Sequence, residues 1–431
     1  MTKTMILGGG MTGLAAGMAS GLPVLEASDF SGGICSSYYM RPDDTHRLSH
    51  CPEDGEAYRF EIGGGHWIFG GDPAILRLIR TLTPVKTYQR RSSVYFCQDD
   101  RYVPYPLQNH LSYLPEYRSQ ALQEITRPKT GFVTLKDWQR QYFGDTLCDL
   151  FFDPFHQLYT AGLQGTIAPQ DAYKSPVNLN HVIQGAFDAA PEVGYNTTFI
   201  YPEAGLNTLA QRLADRCDIR YDQQVIKIDW GDRTLHCANG STYAYDQLIA
   251  TLPLNHLMAL THIPVDAPAN PYTSVLVLNI GAVRGPKCPD DHWLYNPDAQ
   301  SGFHRVGFYS NVDVSFLPRS AQEKGDRVSI YVERAYLGGM KPTAAEITDY
   351  STQVVQELQD WGYITTTDAV DPTWIEVAYT WMRPQSSWRQ QALAALEAHQ
   401  IYPIGRYGRW IFQGIADSIK DGLFVGSSFR F

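Results

Sequence analysis

The chain has 431 residues, of which 44% are hydrophobic, 13% aromatic and 19% charged, with 27 tyrosines and a formal net charge of −10. Such a composition fits a folded protein of two or three substructures with lined clefts and excludes a disordered or fibrous chain, while the acidic balance argues against a general nucleic-acid or anionic-membrane surface. The seven cysteines are odd in number, scattered and free of any C-x-x-C pair, so they signal neither a disulfide framework nor a metal site, and the expected setting is a reducing cytoplasm.

The N-terminal run "MILGGGMTGLAAGMASGLPVLEA" predicts a strand over residues 4–8, a helix over 11–20 and a second strand over 22–26, one compact βαβ unit. Gly8-Gly9-Gly10-Met11-Thr12-Gly13 is a G-x-G-x-x-G set where the strand turns into the helix. Gly8 permits the tight turn, Gly10 lets a pyrophosphate approach the backbone, and Gly13 lets the helix pack on the strand. Met11 and Thr12 open the helix, whose free N–H groups favour an anion. Glu26, closing the second strand and followed by Ala27, is placed to accept from a ribose. Strand, glycines, helix, strand and terminal acid in that order predict dinucleotide binding; the fingerprint leaves NAD and FAD open. No membrane insertion is expected, because no run of roughly 18 uninterrupted apolar residues occurs.

The doublet Gly32-Gly33 follows the acid, and "LEAS…GG…S" resembles the flavoproteins with two dinucleotide-binding domains, among them amine oxidases, protoporphyrinogen oxidases, phytoene desaturases and UDP-galactopyranose mutases. The resemblance implies FAD, with Gly32 and Gly33 also approaching it. Residues 60–72, "FEIGGGHWIFGGD", set five glycines around His66 and Trp67. They resemble the histidine loop of the mutases, which implies that Gly64, Gly65 and His66 lie over the flavin ring, with His66 in a catalytic role.

The next segment carries "YVPYPLQNHLSYLP" and then "TLKDWQRQYFGDTLCDLFFDPFHQLYTA", whose apolar residues from Leu135 through Phe151 recur at helical spacing and are read chiefly as core. His156, Tyr159 and Lys174 fall where the mutases keep nucleotide-sugar ligands. His50, His110, His181, His256 and His399 are read as surface or satisfied core groups. "NTTFIYPEAGLNTLAQRLA", beginning at Asn196, resembles the segment before the mutases' return to the FAD domain. Residues 218–254 alternate through short strands, with turns at Gly231-Asp232 and Asn239-Gly240, into a buried strand over 247–251. This resembles the meander inserted in such FAD domains and implies Val225 near the adenine.

"HWLYNPDAQSGFHRVGFYSN" places Arg305 where the mutases hold a substrate diphosphate, a second catalytic assignment. Strand alternation puts its side chain on the face opposite His304 and Val306. "GRYGRWIFQGIADSIKDG" resembles the C-terminal flavin segment, implying Arg406, Asp417 and Ser418 on the cofactor side and Trp410 and Phe412 on the substrate side, alongside Asn196. Three positions depart from the mutases, which have a tyrosine where Phe412 stands, an asparagine or acid where Ala416 stands, and an arginine near the position of Thr166.

The expected fold is α/β: a Rossmann-like, discontinuous FAD-binding domain from residues 1–76, 196–262 and 391–431, with a mainly helical substrate domain at 77–195 and an antiparallel-sheet substrate domain at 263–390. The resemblance implies a nucleotide-sugar pyranose/furanose mutase-like enzyme in which the N5 of reduced FAD attacks the anomeric carbon without net redox. The alternatives are an FAD-dependent oxidoreductase of the protoporphyrinogen oxidase, amine oxidase or desaturase type, and a non-catalytic flavin-binding protein. The expected partner is a small molecule, a nucleotide sugar, and no nucleic acid.

Overall fold

A computed structural model describes residues 3–170, 178–189 and 196–429. A five-stranded parallel sheet is built from distant parts of the chain, in the order Ile219–Arg220, Val24–Leu25, Thr4–Leu7, Gln247–Ala250 and Ile401–Pro403. The strands are short, and Ile6, Leu7, Val24, Leu25, Leu248, Ile249 and Ile401 are buried, as a sheet covered by helices requires. The helices Met11–Ser20 and Ile415–Ser428 cross closely on one face. A Cβ on Gly422 would lie 2.1 Å from the Thr12 carbonyl oxygen and one on Gly426 2.4 Å from that of Ala16, so glycine sets the depth of the crossing.

The meander Val225–Asp229, Thr234–Cys237 and Thr242–Ala244 forms a separate three-stranded sheet, with its turns where the Gly-Asp and Asn-Gly pairs stand. The α/β expectation and the antiparallel second sheet are both met. That second sheet has seven strands, in the order Ile364–Thr380, Tyr272–Arg284, Arg327–Leu337, Arg305–Phe308, Trp293–Tyr295, Ser92–Phe96 and Arg101–Pro104. Its last two strands come from the segment read as mainly helical. Ser92–Phe96 pairs in parallel with Trp293–Tyr295, a long-range contact that local periodicity does not encode.

The aromatic stripe of residues 135–151 is core, as expected: Leu135, Trp138, Phe143, Leu147, Phe151 and Phe152 are buried together. The helix Leu135–Leu147 starts at Thr134 in a capping box with Asp137 and breaks at Gly144, whose φ is 80°. A π-helical turn, Cys148–Phe152, then leads into the helix Asp153–Tyr159. Among the described residues no helix is long and apolar enough to cross a membrane, and no group of His, Cys, Asp and Glu could hold a metal.

Candidate flavin and substrate site

The glycine turn opens onto two adjoining cavities of about 650 and 480 Å³ that share Leu252 and His256 as walls. Gly8 has φ 97° and sits so close to Thr251 that a Cβ would fall 2.3 Å from its hydroxyl oxygen. A Cβ on Gly13 would fall 1.9 Å from the Gly8 carbonyl oxygen, which locks helix to strand. Gly10 differs: a Cβ there meets nothing within 4 Å, because the residue borders the larger cavity together with Met11 and Thr12. Gly32 donates its N–H to the Gly9 carbonyl at 2.8 Å, so the Gly32-Gly33 doublet (φ 102° and 57°) lies against the turn and lines the same cavity.

Glu26 accepts from the Gly9 N–H at 2.6 Å and from the Ser28 N–H at 2.9 Å. Gly8, Glu26, Ala27 and Val225 line the smaller cavity. An open glycine at a helix N-terminus, a second glycine doublet stacked on it, and an acid at the end of the next strand fit a flavin dinucleotide in extended form.

The residues 63–66 explain why so many glycines surround one imidazole. A Cβ on Gly63 would lie 2.4 Å from Cε1 of His66, one on Gly64 2.7 Å from Oε1 of Glu333, and one on Gly65 2.3 Å from the Tyr331 hydroxyl. Three successive positions are pressed against three different side chains, and only glycine allows it. His66 lines the larger cavity as a neutral imidazole, its pKa pushed down to about 4 by burial and by the neighbouring Arg406. Arg406 also faces the cavity; it donates to the carbonyls of Gln413 and Ala378 at 3.3 and 3.1 Å and lies 4.7 Å over the Phe412 ring.

Arg305 begins its strand directly opposite Glu333. Nε donates to Oε2 at 3.0 Å, and one terminal nitrogen, NH2, reaches Oε1 at 2.7 Å and Oε2 at 2.5 Å. NH1 has no partner among the described residues, and the side chain is 21% exposed, toward the cavity. Burial would raise the Glu333 carboxyl, but the Arg305 guanidinium overrides it and holds the group at about 2.

Several site expectations need correction. His304 does not lie opposite Arg305: the chain bends through Gly302 (φ 77°), the strand begins at Arg305, and both side chains face the cavity while Val306 enters the core. Trp410 is not at the substrate side. It is 1% exposed, donates to the Trp381 carbonyl at 2.9 Å and packs edge-on against Trp388 behind the cavity wall. Asp417 is exposed and turned to the Gly414 N–H at 3.3 Å as its own helix cap, away from the cavity, whereas Ser418 lines it. His256 borders both cavities and is neither surface nor ordinary core.

His156, Tyr159, Asn196 and Phe412 all line the larger cavity. His156 is already engaged, through Nδ1 to the Phe152 carbonyl at 2.7 Å and through Nε2 to Gln139 at 2.9 Å. Asn196 accepts from Arg90 at 2.6 Å. Of the departures, Thr166 is exposed and bonded to the Leu163 carbonyl at 3.0 Å, and Ala416 is buried where a Cβ on Gly71 would meet it at 2.6 Å. Lys174 lies outside the described residues. Glu333, His304 and Gln139 line the cavity and were not foreseen. The one available signal was a lone acid in the apolar strand "SIYVERAYL".

The sequence pattern of flavin-containing amine oxidoreductases matches residues 21–412. The chain belongs to that family. A crystal structure of reduced UDP-galactopyranose mutase superposes with a TM-score of 0.82 over 99% of this chain and 95% of that one, at 22% identity. A CLA-producing fatty acid isomerase from P. acnes gives 0.59 at 13% identity, covering 100% and 99% of the two chains. Putrescine oxidase bound to putrescine gives 0.56 at 16% identity, covering 99% and 98%. These likenesses establish a shared fold across proteins of different chemistry, and the family establishes a flavoenzyme.

Proposed function

We propose that the protein is an FAD-dependent, nucleotide-sugar pyranose/furanose mutase-like enzyme that works with reduced flavin and without net redox. One observation carries the reading: Arg305, whose NH1 makes no hydrogen bond to a described residue, lines the same cavity that His66 and the Gly10 turn border. Gly8, Gly10, Gly13 and the helix N-terminus would hold the FAD pyrophosphate, Glu26 the ribose, and Val225 the adenine side. Residues 1–76, 196–262 and 391–431 would form the FAD-binding unit, which agrees with the origins of the five parallel strands.

Reduced flavin, when bound, supplies the nucleophile. The chain's own residues would then bind and orient. Arg305 takes a diphosphate oxygen through NH1 while Glu333 fixes the guanidinium plane, a charge-assisted contact in a partly desolvated site. His66, neutral at pH 7, offers hydrogen bonding without adding charge beside the flavin. Phe155, Tyr159, Tyr379 and Trp381 wall off water and present flat faces to a base or sugar.

A second reading, an amine- or apolar-substrate oxidoreductase, is favoured by that aromatic wall and by the balanced charge of the cavity, where Glu333 and Glu376 offset Arg305 and Arg406 among the described residues. Titration of the reduced protein with UDP-, GDP- and dTDP-hexoses separates the two. Tight binding of one class, with turnover only in the reduced state, supports the mutase. Failure of all of them, with flavin reduction by an amine, rejects it.

A further inference from the structure

Resting on the nucleotide-sugar reading, we infer that His304 is a substrate-recognition group that takes up a proton from the buffer as a diphosphate enters, providing the positive charge that the cavity's own side chains lack. Among the described residues lining the cavity, two arginines face two glutamates, so the formal charge cancels while the histidines are neutral. Arg305 is already committed to Glu333 on most of its edge. A diphosphate diester carries two negative charges, and burying them against a neutral wall is costly unless a cation is added.

Four histidines line the larger cavity, and their settings differ. Both nitrogens of His156 are bonded within the wall. His66 is pressed on Gly63 in the loop placed at the flavin, and His256 stands at the mouth of the smaller cavity. His304 is the neighbour of Arg305, is 1% exposed, and has no hydrogen-bond partner on Nδ1 or Nε2 among the described residues. Its Nε2 is 3.6 Å from Oε2 of Glu333, too long for a hydrogen bond but close enough for a protonated ring to close onto it.

A buried imidazole with two unused nitrogens is unfavourable unless something meets them, and this one borders the cavity. The groups facing it are Glu333 from the strand Arg327–Leu337, His156 and Tyr159 from the helix Asp153–Tyr159, and Arg305 beside it in sequence. Burial and Arg305 keep the ring neutral in the free protein, with Glu333 pulling the other way. An arriving dianion reverses that balance, since it engages Arg305 and favours the imidazolium. Proton uptake on binding then makes affinity fall with rising pH.

The test is calorimetric titration of the reduced, FAD-loaded protein with UDP-galactose, whose diphosphate diester does not itself titrate near neutrality. Runs in PIPES and in Tris, which differ in ionisation enthalpy, report the protons taken up. Wild type is expected to take up close to one proton per ligand, with Kd rising roughly tenfold per pH unit above neutrality. His304→Gln should bind with almost no uptake and a flat pH dependence. His304→Phe keeps the ring volume beside Phe155 and Tyr159 and should behave likewise, which guards against misfolding of one variant. Binding by wild type without proton uptake, or with the same uptake in a folded variant, overturns the role of His304 alone. No binding of UDP-, GDP- or dTDP-hexoses to wild type overturns the nucleotide-sugar reading and this inference with it.

Discussion

Gly10 and Gly13 belong to one motif, yet substitution should do opposite things at the two positions. Gly13→Ala places a methyl 1.9 Å from the Gly8 carbonyl oxygen, whereas ordinary C···O contacts are no closer than about 3.3 Å. The helix would have to lift by more than an ångström from the strand, disturbing Leu14, Ala15 and Ala16, which are fully buried. Overpacking of that kind costs about 3 kcal/mol. Spread over a 431-residue unfolding entropy, this lowers Tm by about 3 °C, and by more if the cooperative unit is smaller. Gly10 has φ −73° and ψ 176°, an ordinary extended conformation, and open space beyond its Cα. Gly10→Val should therefore leave apoprotein stability within about 0.5 kcal/mol, while its methyls occupy the path of the pyrophosphate. Thermal unfolding of the two apoproteins, with flavin absorbance after reconstitution, checks both halves. A Gly10→Val protein as yellow as wild type, or a Gly13→Ala protein with unchanged Tm, would refute the assignment.

His66→Ala should shift the flavin spectrum or midpoint potential with FAD still bound, and Gly63→Ala should mimic it by displacing the imidazole; unchanged spectra and potentials in both would move His66 away from the flavin. Arg305→Ala should weaken UDP-sugar binding by about 1.5–3 kcal/mol, roughly ten- to a hundredfold, in the same titration used for wild type. It also strands Glu333, whose folded value of about 2 lies below its ordinary 4.5. Stability from that pair is present above 4.5 and is lost as pH falls toward 2, so the Tm gap between wild type and variant should narrow on acidification; a gap constant from pH 7 to 3 contradicts the pairing. His66, His110 and His156 are held neutral at about 4 and His292 at about 3, mainly by burial. Because the unfolded chain protonates them first, stability should fall as pH drops from 6.5 toward 4. Glu61, raised by burial to about 7, and Asp291, also raised by burial, pull the other way. Urea midpoints at pH 7 and pH 5 that coincide would contradict this balance.

The glycine turn proposed to hold the cofactor was legible in the sequence because its requirements are local. A turn that needs positive φ, a helix that must touch a strand, and an acid at a strand end lie within residues 8–26, and the backbone meets each demand where the motif stands. The glycine loop at residues 63–65 was legible as a close-approach segment, but what approaches it was not. Glu333 and Tyr331 arrive from a strand more than 260 residues away. The part proposed to take the substrate depends on sheet register, and Arg305 meets Glu333 only through an antiparallel pairing that no spacing reveals. Trp410 failed for a related reason: an aromatic beside a cofactor segment and one in the core behind it have the same local sequence, and the αL turn at Trp410 (φ 55°) sends the side chain inward. His304 was misplaced because alternation was extended one residue before its strand begins.

Glu333 touches both the glycine loop and Arg305. Its Oε1 lies where a Cβ on Gly64 would be 2.7 Å away and accepts weakly from the Gly65 N–H at 3.4 Å. The same carboxylate also holds the plane of Arg305. A buried carboxylate shared in this way cannot follow the loop and the guanidinium independently, because moving it for one leaves the other incompletely satisfied. Any displacement of residues 63–66 is therefore felt at Arg305 and at His304 beside it. Contributions of the loop and of Arg305 to ligand affinity should consequently not add, as expected for groups in one hydrogen-bonded network. On the proposed function the glycines of the histidine loop then serve twice: they would let the loop lie close to the flavin, and they let the Arg305–Glu333 ion pair lie close to the loop.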